Sequence, residues 1–277
     1  IMKITYQGIP GSYSESCVKE YYPNCETISC KTFDECFEKA YKDSSIKAII
    51  PESNKTTGNI GVEYLIFKYR LNIYAEHFYQ INHNLLGIQG SKITDIKNVY
   101  SHAQALSQSS EFLKKNKFIS NVRADTAGSA KYVSEENDKS KGAIASKLSS
   151  KIYNLELIKA NIQDDKKNMT RFLIMGKDIF QPEFNEQNNY VTSMLFKLKS
   201  KPAALYSALS GFALNGVNLI KLQSFPEKNS FLSYFFLCEL DGHIENTKVK
   251  RSLEELGLHC EDMHVLGVFK ADKLREK

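Results

Sequence analysis

The sequence predicts an α/β protein of two domains, and three observations carry that reading. Short apolar runs alternate with helical patterns through the first half of the chain. After Gly176 the order of elements becomes βαββαβ. The length, 277 residues, is enough for one large or two ordinary domains and a sizeable core.

The elements follow in order. "KITYQ" (3–7) reads as a strand and "GIPG" as a turn, and Ser12 with Glu15 forms a capping box for a helix to about Tyr22. Thr32 and Glu35 repeat the box before the helix "FDECFEKAYK". "IKAIIP" (46–51) is a short apolar strand expected to stop at Pro51. "NVYS" (98–101) leads into a helix from about His102 to Lys115, "ISNVRA" (119–124) into a helix from about Thr126, and "GAIA" (142–145) into a helix to Tyr153. Strands alternating with helices argue for largely parallel sheets. "KDIFQPEFNEQNN" (177–189) is polar and irregular, a linker. Beyond it "YVTSMLFKLK", "VNLIKLQSF", "FLSYFFLCEL" and "MHVLGVF" read as strands, with "PAALYSALSGFALNG" and "ENTKVKRSLEELG" as helices. In the first of these helices Leu205, Leu209 and Phe212 share one face, and Asn215-Gly216 is its stop. This order is the ferredoxin-like arrangement.

Composition narrows the function. Hydrophobic residues make 42% of the chain and charged residues 25%, values of an ordinary globular protein. No apolar run approaches the roughly 20 residues that span a bilayer. "IMKITYQG" lacks the apolar region and cleavage site of a signal peptide, so a cytoplasmic location is expected. The net charge of +5 is spread out, with no long basic stripe for nucleic acid. Cys17, Cys25, Cys30, Cys36, Cys238 and Cys260 contain no C-x-x-C and no Cys–His cluster, which points to reduced structural thiols rather than disulfides or zinc.

Four stretches put hydrogen-bonding residues just past predicted strands, where open α/β sheets bind ligands. They are "GIPGSYS", "PESNKTTG", "YSHAQ" and "ADTAGSA", contributing Ser12, Asn54, Ser101 and Thr126. Helix N-termini add N–H groups suited to an anion; Ser12 and Thr126 are equally readable as helix caps. "GIPG" lacks both the P-loop and the dinucleotide pattern. His83 and His102 have no partner at triad spacing, and His77 and His83 alternate with apolar residues like half-exposed strand positions. Arg occurs only at 70, 123, 171, 251 and 275 in this Lys-biased chain. The Arg in "NMTRFLIMG", at the mouth of an apolar strand, therefore suggests a two-pronged donor for a carboxylate or phosphate.

"ITYQGIPGSYS", "YSHAQAL", "ADTAGSAKYV", "GAIASKLSSKIYNLELIKANIQDDKKNMTRFLIMGKD" and "GVNLIKLQSFP…YFFLCELDGH" resemble, in order, the motifs of bacterial prephenate dehydratases. The resemblance implies a catalytic domain over 1–178, built in two lobes like a type 2 periplasmic binding protein, with the second lobe at about 76–160. It implies a linker at 179–188, a C-terminal ACT regulatory domain over 189–277 that senses L-phenylalanine, and a homodimer or homotetramer. The implied reaction takes prephenate to phenylpyruvate with loss of carbon dioxide and water, using no metal or organic cofactor. Arogenate dehydratase and a non-catalytic ligand-binding regulator are the rival readings.

The family's Thr-Arg-Phe motif matches Thr170, Arg171 and Phe172, with Asn168 before it. The expected roles are a hydrogen bond from Thr170 to the departing hydroxyl, Arg171 on a carboxylate and Phe172 against the ring. Thr126-Ala127 and Ser101-His102 match further substrate motifs. The usual Pro-Ile-Glu-Asn-Ser is here Pro51-Glu52-Ser53-Asn54-Lys55. In the regulatory domain Gly-Ala-Leu becomes Ala203-Ala204-Leu205, and Glu-Ser-Arg-Pro becomes Gln223-Ser224-Phe225-Pro226. Ala204, Leu205, Asn218, Leu219, Gln223 and Ser224 are the residues this resemblance assigns to phenylalanine.

Overall fold

The computed structural model describes residues 2–227 and 233–275. The first sheet is built from β1 (Lys3–Gln7), β2 (Glu26–Cys30), β3 (Ile46–Asn54), β4 (Gly58–Asn59) and β5 (Asn72–Gln80), with α1 (Tyr13–Tyr21), α2 (Phe33–Lys42) and α3 (Glu63–Tyr69) between them. There follow β6 (Asn84–Gly87), β7 (Asn98–His102), α4 (Ala103–Ser107), α5 (Ser110–Lys115), β8 (Ile119–Arg123), α6 (Thr126–Glu136), β9 (Lys141–Ala145), α7 (Lys147–Ile152), β10 (Glu156–Lys159) and β11 (Met169–Gly176). The C-terminal part comprises β12 (Tyr190–Leu198), α8 (Ala204–Asn215), β13 (Leu219–Pro226), β14 (Tyr234–Asp241), α9 (Thr247–His259) and β15 (Cys260–Lys270).

Among the described residues the strands form three sheets, ordered β2-β1-β3-β11-β5 with β4 on β3, β10-β6-β9-β7-β8, and β13-β14-β12-β15. The first two are the sheets of a periplasmic-binding-protein-like α/β architecture. In the second, β7 runs parallel to β8 and β9, while β6 is antiparallel to β9 and β10. In the third, β12 is antiparallel to both neighbours and β13 to β14, the ferredoxin-like βαββαβ sheet expected from the order of elements. Compactness divides the chain differently from its order: one unit is Ile1–Cys36, Ile49–Ile60 and Phe78–Phe172, the other Phe37–Ala48, Gly61–His77 and Leu173–Lys277.

The second sheet buries both faces because strand side chains alternate. Leu85 packs with Val99, Leu106, Leu113 and Ile144, whereas its neighbour Leu86 packs with Ala130, Val133 and Ala143. In the third sheet Met194, Phe196 and Leu240 pack against Ala208 and Phe212 of α8 and Val249, Leu253 and Leu256 of α9. Each of the Met, Phe, Leu, Ile and Val side chains contributes about 1.5–3 kcal/mol on burial. No helix among the described residues is long and apolar enough to cross a membrane, and none of the six cysteines is in a disulfide.

Several local expectations change. β3 runs through Pro51 to Asn54; the proline ring suits extended φ and removes only one donor, and beyond it Ser53 and Asn54 pair with β4. The helix expected over 102–115 is two, with His102 capping α4 and a break at Gln108–Ser109, where a Ser-Gln-Ser-Ser run prefers caps and turns. Asp125, not Thr126, caps α6, its carboxylate accepting from the Gly128 N–H. Ser12 does cap α1, accepting from the Glu15 N–H at 3.2 Å. Ala203 stands in the left-handed region at φ 59°, a position where glycine carries no steric cost. Phe231 and Leu232, which open the predicted strand "FLSYFFLCEL", lie outside the described residues.

Candidate active site

Thr170 is the second residue of β11, which is adjacent to β3 in the first sheet. At the end of β3 the Asn54 side chain folds back on its own loop. Its Oδ1 accepts from the Thr56 N–H at 3.0 Å, the Thr57 N–H at 3.2 Å and the Thr56 hydroxyl at 2.7 Å, an Asx-turn extended by a hydroxyl. Its Nδ2 donates to Thr170 Oγ1 and to Asn168 Oδ1, both at 2.9 Å.

The network continues through Gln108. Its Oε1 lies 3.0 Å from Asn168 Nδ2 and 2.9 Å from His83 Nε2, and its Nε2 donates to the Thr56 hydroxyl. His83 Nδ1 is 2.7 Å from the Tyr13 hydroxyl. His83 is only 2% exposed, not half-exposed as the strand pattern suggested. Burial lowers its pKa, with the bond to Gln108 acting in the opposite sense, which favours the neutral ring.

The consequence for Thr170 is chemical. A backbone N–H only donates, so the Asn54 atom facing Thr56 N and Thr57 N is the carbonyl oxygen and the other is NH2. Thr170 Oγ1 therefore accepts from Asn54, and its own proton is left to donate elsewhere. A hydroxyl so held suits donation to a departing oxygen.

Arg171 is held differently. Neighbouring strand side chains leave toward opposite faces, and the Arg171 guanidinium lies 3.2 Å from Glu52 Oε2 with both groups buried. One carboxylate on Arg171 is thus the protein's own, where the sequence suggested a substrate's. Phe172 is buried edge-on to Tyr79 with ring centroids 6.4 Å apart.

The remaining candidates stand apart from this chain of bonds. Ser101 is fully buried and donates to the Ile144 carbonyl at 2.6 Å. Ala127 is buried in α6, and Thr126 is half-buried at that helix's first turn. Ser12 is occupied as a cap. Thr56, Gln108 and Tyr13 were not singled out in the sequence, and His83 reads there as a half-exposed strand residue; the readable signal was the Asn-x-Thr of the Asx-turn. A cavity of about 410 Å³ beside Tyr13 is lined by Lys19, Lys147 and Lys151 among others, and Thr170, Asn54 and Asn168 are not part of its wall. In the C-terminal sheet, Ala204 and Leu205 open α8, Asn218 donates to Asp241 at 2.8 Å, and Leu219, Gln223 and Ser224 lie on β13.

Comparison with known proteins identifies the family. Residues 4–179 match the family model described as prephenate dehydratase. The chain is 35% identical to arogenate dehydratase/prephenate dehydratase 1 of Arabidopsis thaliana, over 99% of this chain and 73% of that one. It is 32% identical to a bifunctional N-acyl-homoserine lactone acylase/prephenate dehydratase of Komagataeibacter europaeus, over 99% and 98%. The fold matches that of the Arthrobacter aurescens prephenate dehydratase solved in complex with L-Phe, with a TM-score of 0.86 at 23% identity over 98% of this chain and 90% of that one. The chain belongs to the prephenate dehydratase family.

Proposed function

We propose that this protein converts prephenate to phenylpyruvate in L-phenylalanine biosynthesis, as a cytoplasmic, cofactor-independent homodimer or homotetramer. The observation that carries the reading is the Thr170 hydroxyl, which accepts from Asn54 and so retains its proton for the leaving oxygen. Loss of carbon dioxide and hydroxide makes an aromatic ring, so the thermodynamic drive lies in the substrate. The protein has to hold the substrate and stabilise the departing hydroxyl.

A threonine hydroxyl is too weak an acid for strong proton donation, and positioned acid catalysis is worth roughly 10²–10⁴-fold only when the pKa suits the working pH. Thr170 therefore acts chiefly by preorganised hydrogen bonding, a contribution of about 10²–10³-fold for one well-aimed donor. Asn168 and Asn54 orient it, Phe172 backs the apolar wall, and Arg171 with Glu52 fixes the strand that presents it. Thr126 remains the sequence candidate for a substrate carboxylate. The groups bonded around Thr170 are amides, hydroxyls and an imidazole. Prephenate and arogenate carry the same departing hydroxyl, so Thr170 suits either, and the substrate assay separates them.

We assign catalysis to residues 1–178, a linker to 179–188, and an ACT domain to 189–277. L-phenylalanine control is assigned to Ala204, Leu205, Asn218, Leu219, Gln223 and Ser224, with support from the L-Phe complex of the Arthrobacter aurescens relative. The deciding experiment follows phenylpyruvate from prephenate, with and without L-phenylalanine, beside arogenate and an N-acyl-homoserine lactone. Prephenate turnover inhibited by L-phenylalanine is expected. Faster turnover of arogenate would reassign the substrate, and turnover of neither would leave a ligand-binding regulator.

A further inference from the structure

Two backbone N–H groups set the direction of every hydrogen bond around Thr170. The Thr56 and Thr57 N–H groups fix Asn54 Oδ1 as the acceptor, so Asn54 Nδ2 donates to Asn168 Oδ1 and Thr170 Oγ1. The remaining amide group of Asn168 is then NH2, which makes the Gln108 atom it meets a carbonyl oxygen. That oxygen cannot donate, so His83 Nε2, 2.9 Å away, carries the ring hydrogen. His83 Nδ1 faces the Tyr13 hydroxyl at 2.7 Å, and that hydroxyl also donates to the Asn82 carbonyl at 3.1 Å.

Followed outward, the bonds run head to tail. His83 donates to Gln108, Gln108 to Thr56, Thr56 to Asn54, and Asn54 to Thr170. Each member between the two ends accepts on one side and donates on the other, the arrangement in which hydrogen bonds polarise one another cooperatively.

We infer that His83, with a hydrogen on Nε2, is a positioning residue for the reaction, the head of a one-directional hydrogen-bond chain that ends on the Thr170 hydroxyl. This inference rests on the proposed role of Thr170. His83 touches no substrate; it holds Gln108 Oε1, and through Gln108 it holds both Thr56 and Asn168. Its backbone is fastened as well, the His83 N–H donating to Gln163 Oε1 at 2.9 Å. Two percent exposure keeps water from supplying the same bond.

The test uses the full-length protein, with prephenate as substrate. His83→Leu keeps much of the ring's volume and removes the donor; His83→Gln returns an NH2 group near the position of Nε2. His83→Leu should lower kcat roughly 10²-fold, the scale for slight misplacement of a reacting group, with KM unchanged. His83→Gln should recover most of that loss. Long-range ¹⁵N–¹H NMR of the unsubstituted protein should show the hydrogen on Nε2. Wild-type kcat in folded His83→Leu, a His83→Gln as slow as His83→Leu, or an Nε2 without hydrogen would each overturn the inference. If the unsubstituted protein turns over neither prephenate nor arogenate, the functional reading fails, while the NMR result still decides the direction of the chain.

Discussion

Thr170 and Arg171 are neighbours on β11, yet they belong to two regions built on different physics. Around Thr170 the partners are neutral, and their order is imposed by backbone N–H groups. Around Arg171 the partner is a buried carboxylate, and the bond is held by opposite charge. A neutral network can point a hydroxyl outward because its polarity is directional. A buried ion pair commits part of its donors to the protein itself. Under the proposed function the motif Thr-Arg-Phe divides into one group for chemistry and one for the frame, and substitutions should separate them.

The largest effect is expected on the frame. Glu52→Ala leaves the Arg171 charge buried without that carboxylate, a change that costs about 3–5 kcal/mol. Urea denaturation should register this as a lower midpoint at unchanged slope. If Glu52→Ala is as stable as the parent and loses only substrate affinity, the charged side belongs to the binding site and the distinction collapses.

Thr170→Ala should do the reverse. kcat is expected to fall roughly 10²–10³-fold, while stability changes by about 1 kcal/mol because Asn54 Nδ2 keeps its bond to Asn168. Steady-state kinetics and thermal melting on the same preparation check both halves. Near-normal turnover would remove Thr170 from the mechanism.

These two regions also differ in how far the sequence exposes them. The βαββαβ order is local, and it appears in the C-terminal sheet as expected. Asn54 belonged to a readable turn, because an Asn two residues before Thr56 folds onto that residue's N–H without help from elsewhere. Its bonds to Asn168 and Thr170 join residues 114 and 116 positions apart, a closure that no local pattern encodes. Arg171 looked available because strand periodicity says where a side chain starts and not what meets it. Glu52 sits in a stretch where Pro51 suggested a strand end, so its pairing with Arg171 was hidden behind a wrong boundary.

A second buried charge cluster extends the comparison. Arg275 bonds Glu76 through both Nε and Nη2, and Glu239 lies 3.8 Å from the same guanidinium. The Glu76 side chain is fully buried, and its Oε1 also accepts from the Asp272 N–H. If buried ion pairs here serve the frame, Arg275→Ala should lower stability by about 2–3 kcal/mol, less than Glu52→Ala because Arg275 is partly exposed. Prephenate KM should stay unchanged. An altered KM with intact stability would give this cluster a functional part as well.

The smallest effect concerns a hydroxyl the sequence counted with the site. Ser101 Oγ donates to the Ile144 carbonyl, joining β7 to β9 inside the second sheet. Ser101→Ala removes that donor and leaves the carbonyl with one bond fewer, worth about 1 kcal/mol. The added cavity is small, since a methyl remains where the Cβ stood. If only the amide network serves the chemistry, kcat and KM should match the parent and melting alone should shift. A kcat reduced as far as that of Thr170→Ala would instead mean that the Ser101 hydroxyl turns from Ile144 toward the substrate, and the neutral region would extend into the second sheet.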